Sequence, residues 1–188
     1  GGFLPYLFII FTFIGAMYPG LDLGAGEKER GTMETILSSP ASRLDIVLGK
    51  FGVILTAGIA TALISFASLN ISVHLFPEIP IDVLEIISSM LGLKMVALIF
   101  TLIIPIAVFF SAAILTLSIY ARSFKEAQSI VTPLNIVIII PAAIGMMPGM
   151  ELNTITALVP ILNVSLATKE MLSGSIDWFL LTEVYVSL

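Results

Sequence analysis

The feature that most constrains this chain is a series of long, nearly uninterrupted apolar runs. Four of them cover about residues 3–19, 46–70, 92–119 and 129–148. A membrane crossing needs about 20 apolar residues. In lipid, backbone polar groups must be satisfied internally, which leaves only helices and closed barrels. Because continuous runs lack the alternation of a barrel strand, the sequence predicts an all-α, polytopic transmembrane helical bundle.

Composition agrees with a bilayer as the surrounding solvent. Of 188 residues, 58% are apolar and only 11% are charged, whereas soluble domains carry about 25% charged residues. Mean hydropathy is +1.12. The net charge of −5 argues against nucleic acid as a partner, and the absence of cysteine excludes a disulfide framework. The lipid bilayer is the first expected partner.

Two later segments differ from the four long runs. Residues 156–172 are apolar but short, contain Pro160, and carry Lys169 and Glu170 near their end. They suit a re-entrant or interfacial helix on the outer side better than a crossing. Residues 178–188 predict the start of a final span that the chain end truncates. We therefore expect residues 1–188 to be part of one transmembrane domain in a longer protein.

Orientation follows from lysine and arginine in the connectors between spans. The first connector holds Lys28, Arg30 and Arg43, and the third holds Arg122 and Lys125. The second and fourth connectors contain no lysine or arginine. The sequence therefore predicts that the first and third connectors are cytoplasmic, and that the second and fourth face the outside.

The first connector contains the segment GAGEKERGTMETILSSP, residues 24–40. Helical spacing gives it an apolar stripe and a charged face spaced for ion pairs. The stripe consists of Met33, Ile36 and Leu37, and the charged face of Glu27, Arg30 and Glu34. Pro40 ends this helix, and Ser42 to Asp45 resembles a capping box for the next span. Such a helix docks into a groove of a soluble partner; a solvated loop whose charges only fix topology is the alternative.

Several polar residues elsewhere are weaker candidates. His74, Glu78, Asp82 and Glu85 belong to the predicted outer loop, and Lys94 lies near the outer end of its span. A single histidine without cysteine makes a zinc site improbable, and neither a metal site nor a cofactor is predicted. Four residues are pathway candidates, although polar groups in spans often only hold helices together. They are Asn135, Asn163, Lys169 and Glu170.

The chain has no phosphate loop for ATP. The nearest approach to GxxxxGK[ST] is Gly49-Lys50, but Leu44 stands where the first glycine is needed and Phe51 where serine or threonine is needed. The sequence therefore predicts a protein that is not itself an ATPase.

Three stretches carry a resemblance to a known family: GEKERGTMETILSSPASRLDIVLGK at 26–50, RSFKEAQSIVTPLN at 122–135 and ALVPILNVSLATKE at 157–170. They resemble permease subunits of type-2 ATP-binding-cassette exporters, in particular the Nat-type sodium-efflux branch. The resemblance places the family's coupling helix on Glu27 to Leu37 and its outer re-entrant helices on about Glu151 to Ser175.

The resemblance implies a transmembrane subunit of an ATP-driven exporter in a prokaryotic plasma membrane. It further implies two partners, a separate ATP-binding-cassette ATPase subunit and a second permease copy or homologue. Coupling to the ATPase subunit would fall to Glu27, Arg30, Thr32, Met33, Glu34, Ile36 and Leu37. Sodium is the suggested substrate.

Other functions remain open at this point. Export of lipid, peptide or drug fits the same architecture, and so does a non-transporting membrane scaffold or regulatory subunit. A secondary transporter would require a buried ionisable coupling residue and an inverted repeat. The sequence shows neither feature.

Overall fold

The computed structural model describes residues 2–75, 92–174 and 177–188, without the side chains of residues 73, 74 and 93–95. The predictions for His74, Glu78, Asp82, Glu85 and Lys94 concern side chains outside this described part.

The described residues form helices and no strand, which confirms the all-α prediction. Four helical stretches are long and apolar enough to cross a membrane: Phe3–Glu29, Arg43–Ser72, Val96–Tyr120 and Phe124–Ile144. The helices are α1 Phe3–Leu21, α2 Glu27–Glu29, α3 Thr32–Leu37, α4 Arg43–Leu75, α5 Leu93–Tyr120, α6 Phe124–Ile144, α7 Thr154–Ala157, α8 Leu162–Ser173 and α9 Trp178–Ser187.

The first span is longer than the predicted 3–19. Pro19 lies inside α1, and a π-helical segment, Asp22–Gly26, continues the helix into α2. The amide of Glu27 donates to the carbonyl of Asp22, five residues back. The chain stays helical here because the glycines and alanine of the π-helical segment are buried against the bundle instead of facing water.

The fourth span begins at Phe124, before the predicted residue 129. Ser123 is its N-cap, with Oγ accepting from the amide of Glu126 at 3.2 Å. The Glu126 carboxylate in turn accepts from the amide of Arg122 at 2.8 Å. These caps satisfy backbone amides that would otherwise lack an acceptor. Polar residues from Lys125 onwards, which the sequence placed in the third connector, therefore belong to α6.

Helices α1 and α5 form the centre of the bundle. In the most apolar 18 residues of each span, 44% of the residues are buried in the span that contains α1 and 50% in the span that contains α5. The corresponding shares are 17% for α4 and 22% for α6. Phe13 of α1 and Phe110 of α5 meet edge to face, with ring centroids 5.3 Å apart. Gly24 leaves no room for a β-carbon, which would lie 1.9 Å from Ser118 Oγ. Glycine here permits the close backbone approach typical of membrane helices.

The first and third connectors lie at the same end of the bundle, which we call the connector end. The carboxylate of Glu29 accepts from the amide of Phe124 at 2.7 Å. Helices α7, α8 and α9 lie towards the other end, where Ser165 Oγ donates to the carbonyl of Ala142 near the end of α6. This arrangement agrees with the predicted orientation, while the side of the membrane that each end faces stays a prediction.

The segment predicted as a re-entrant helix, 156–172, includes the end of α7 and most of α8. Helix α7 ends at Ala157, and α8 begins at Leu162 after a turn in which Ile161 has a φ of 72°. That left-handed value is rare for a β-branched residue. Nine of the twelve residues of α8 are buried, and it packs on α1, α5 and α6. Its re-entrant placement in a bilayer stays a prediction.

Candidate coupling site at the connector end

Four consecutive residues, Glu27 to Arg30, each contact a different part of the connector end. Helix α2 supplies three of them, and the turn before α3 supplies the fourth. Their partners belong to α4, to the end of α5, to the start of α6 and to the π-helical segment. We call this run the EKER segment.

Glu27 and Lys50 form a buried ion pair, with each residue 8% exposed. Lys50 Nζ lies 2.5 Å from Glu27 Oε2 and also donates to the carbonyl of Leu23 at 2.7 Å. The Met33 sulfur lies 3.8 Å from the same Nζ. Lys50 therefore joins α4 to α2, α3 and the π-helical segment.

Lys28 and Glu29 contact the helix ends at the third connector. Lys28 Nζ donates to the carbonyls of Ile119 and Ala121, where α5 ends. Glu29 accepts from the Phe124 amide, where α6 begins. A cation at a helix C-terminus and a carboxylate at an N-terminus both complement the helix dipole. The pair therefore links the EKER segment to α5 and α6 with favourable electrostatics.

Arg30 binds Asp22 through two contacts, at 2.6 and 3.1 Å. This hydrogen bond raises the pKa of Arg30. The predicted ion pairing among Glu27, Arg30 and Glu34 is wrong, because Glu27 pairs with Lys50 and Arg30 with Asp22. Gly31, with a φ of 73°, separates α2 from α3, so Glu34 does not continue the helix face of Glu27 and Arg30.

Helix α3 projects from this anchored base, and none of its residues is buried. Thr32 Oγ1 donates to the carbonyl of Glu27 at 3.2 Å. Met33 and Ile36 are half-buried, whereas Glu34 and Leu37 are exposed. One half of the predicted capping box of α4 is present, because Ser42 Oγ accepts from the amide of Asp45 at 3.1 Å. The result is an exposed amphipathic helix on a base tied to the whole bundle.

The four pathway candidates do not come together. Asn135 is half-buried on α6, one face of which also carries Gln128 and Thr132 at helical spacing, both exposed. Asn163 is fully buried on α8, where its amide nitrogen donates to Ser187 Oγ at 2.8 Å and to the carbonyl of Ala157 at 3.2 Å. The polar face of α6 is therefore separate from the polar groups of α8.

Lys169 and Glu170 lie at the last turn of α8, beside an open cavity of about 620 Å³. Lys169 Nζ donates to the carbonyl of Met150 at 2.9 Å, and Glu170 Oε1 accepts from the amide of Leu152 at 2.9 Å. Burial raises the pKa of Glu170, and the negative charges of Asp177 and Glu151 add to that rise. Both side chains thus hold the segment between α6 and α7 against α8.

A model described as ABC-2 family transporter protein matches residues 3–183. The chain belongs to the ABC-2 transporter family. It is 30% identical over 182 residues to the ABC transporter permease protein NatB of Bacillus subtilis (strain 168), an alignment covering 93% of this chain and 45% of NatB. The chain thus spans about half the length of that relative. No solved structure matches it.

Sequence reasoning missed most of the inward contacts of this ABC-2 family chain. The sequence predicted no contact within the bundle for Lys28, Glu29 or Lys50. One signal was available: Lys50 stands alone within the apolar run IVLGKFGVIL. Because an ionisable group in such a run is costly unless paired, it required an acidic partner from a neighbouring helix.

Proposed function

We propose that this chain is the transmembrane permease part of an ATP-driven exporter and that α3 binds a separate ATP-binding-cassette ATPase subunit. The observation that carries the proposal is the EKER segment, which ties the base of α3 to all four long helices. A subunit that moves α3 on closing around ATP would therefore move the ends of these helices together. Such concerted movement is what alternating access requires.

The apolar stripe of α3, which is partly exposed, supplies the docking surface in this proposal. Met33, Ile36 and Leu37 are the apolar anchors, while Thr32 and Glu34 lie at the rim. Anchors buried at the centre of an interface supply most of the affinity, and rim charges set register and partner choice. Glu27 and Arg30 support coupling from within, because their partners are Lys50 and Asp22.

We propose sodium as the exported species and the cell membrane as the location. Support comes from the resemblance to Nat-type permeases and from the similarity to NatB. For the pathway, the polar face of α6 that includes Asn135 is unsuited to lipid. We place it against a second permease copy or homologue, with Asn163, Lys169 and Glu170 towards the outer mouth. ATP hydrolysis belongs to the partner subunit.

The docking test uses the full-length protein co-expressed with its ATPase subunit. Ile36→Asp places a charge on the apolar anchor, and Ile155→Asp makes the same change on α7, where Ile155 is 78% exposed. Loss of an anchor costs about 2 kcal/mol or more, or about 30-fold in affinity. Ile36→Asp should therefore lose the ATPase subunit in a pull-down, while Ile155→Asp retains it.

Two results would contradict the proposal. Equal recovery of the ATPase subunit by both variants would support the alternative in which this connector is a solvated segment whose charges only fix topology. Capture of the subunit without ATP-dependent transport of any candidate substrate in liposomes would favour the scaffold or regulatory alternative. Accumulation of lipid or peptide, but not of sodium, would retain the exporter and replace its substrate.

A further inference from the structure

We propose that the buried Glu27–Lys50 pair is a positioning element that makes α4 follow α3, and that its role is coupling and not stability. This inference rests on the proposed function. Lys50 lies about two turns into α4, a helix of 33 residues that runs from the connector end to Leu75. A contact that fixes Lys50 therefore acts on a long rigid element reaching the opposite end.

Stability alone does not account for a buried pair at this position. Removing two charges from water is costly, and replacing both partners with apolar residues of similar size is often neutral or stabilising. Met33 lies next to Lys50, and Ile46, Val47 and Ile119 line the small groove beside it. An apolar side chain at position 50 would thus find apolar neighbours.

The charged pair adds a directional constraint on the position of α4 relative to α3. Apolar burial is non-directional and lets neighbouring surfaces slide, whereas hydrogen bonds weaken steeply with distance and angle. Lys50 Nζ is held at once by the Glu27 carboxylate and the Leu23 carbonyl, at 2.5 and 2.7 Å. Thr32 in turn bonds to the carbonyl of Glu27. A displacement of α3 is therefore transmitted directly to α4 through these hydrogen bonds.

The experiment compares a variant that removes the pair with one that preserves it. Glu27→Met combined with Lys50→Met keeps side-chain length and deletes both charges, whereas Lys50→Arg keeps a cation opposite Glu27. Spin labels are placed on cysteines at Leu75 and Leu158, which are 69% and 64% exposed near the opposite end. The labelled full-length protein is reconstituted with its ATPase subunit, and the inter-label distance is measured with and without ATP plus vanadate.

The expected result separates binding from transmission. All three proteins should recover the ATPase subunit within about twofold, because the exposed surface of α3 is unchanged. The parent and Lys50→Arg should show an ATP-dependent change in the inter-label distance, and the double methionine variant should show less than about half of it. A full distance change in the double methionine variant would overturn the inference and leave the proposed function intact.

Two further outcomes are also decisive. If the double methionine variant does not assemble, the pair is needed for folding, and the inference that its role is coupling and not stability is overturned. If the parent itself does not bind an ATPase subunit, the proposed function and this inference both fail.

Discussion

At the connector end, charged side chains reach from one long helix to another, whereas at the opposite end neutral groups, helix caps and the backbone contacts of Lys169 and Glu170 hold short segments together. Lys50 of α4 bonds to Glu27 of α2, and Lys28 bonds to the last carbonyls of α5. At the opposite end, Asn153 and Thr156 form a capping box within α7, and Asn163 joins α8 to Ser187 of α9. The first set of contacts spans the bundle, while the second is mostly local.

The exposure of the short helices follows the same division. Helix α3 has no buried residue, although its base includes a buried ion pair. Helix α8 is buried along most of its length. A helix that is exposed but rigidly held suits contact with another protein, whereas a helix enclosed by neighbours suits closure of the bundle. In the proposed function, the connector end therefore communicates with the partner subunit and the opposite end packs the bundle.

Single removal of Lys50 should produce the largest loss of stability. Lys50→Met leaves the Glu27 carboxylate buried without its cation, which costs about 3–5 kcal/mol. At the opposite end, Lys169→Met removes hydrogen bonds from a half-buried lysine and should cost about 1 kcal/mol. The measurement is the free energy of unfolding in detergent by denaturant titration. Addition of Glu27→Met should recover most of the loss, and equal losses at the two lysines would contradict the comparison.

Gly24→Ala should separate α1 from α5 and cost about 1–3 kcal/mol, the usual range for overpacking. A β-carbon at position 24 would collide with Ser118, whose Oγ also donates to the carbonyl of Gly20 at 2.9 Å. Gly49→Ala is the matched control, because nothing lies within 4 Å of its β-carbon position. That control should be neutral or up to about 1 kcal/mol stabilising, from helix propensity. Similar losses at both glycines in thermal unfolding would rule out the close contact.

Substitution of the buried Asn163 should reduce stability more than substitution of the half-buried Asn135. Asn163→Ala removes bonds from Asn163 to Ser187 and to the amide of Val164, so it should cost about 1 kcal/mol or slightly more. Among the described residues, the side chain of Asn135 has no hydrogen-bond partner, and Asn135→Ala should change stability by less than about 0.5 kcal/mol. In the proposed function, Asn135→Leu should instead reduce transport by the reconstituted full-length protein. A larger stability loss for Asn135→Ala than for Asn163→Ala, with transport unchanged in Asn135→Leu, would contradict these roles.

The predicted spans were recovered because long apolar runs have one solution in lipid. Hydropathy placed the four spans, and the Ser42 cap was readable from spacing. The contacts of the EKER segment could not be read from the sequence. Pairing between Glu27 and Lys50 depends on how α2 meets α4, and Gly31 changes the direction of the chain between these two helices. For Asn163, the sequence left a pathway role and a packing role open, and its hydrogen bonds to Ala157, Val164 and Ser187 depend on the fold and could not be read from spacing.

Glu170 should give the smallest effect, a dependence of stability on pH at the opposite end. Burial raises its pKa above the ordinary value of 4.5, while the bond from the Leu152 amide and the charge of Lys169 act against that rise. The folded protein thus binds this proton more tightly than the unfolded chain does. Its contribution is therefore complete below pH 4.5 and is lost as pH rises through the folded pKa. Glu170→Gln cannot ionise and keeps an oxygen for Leu152, so it should become more stable relative to the parent over that window. Thermal unfolding of both proteins in detergent from pH 4 upwards measures the difference, and a constant difference across the range would show that Glu170 is not the titrating group.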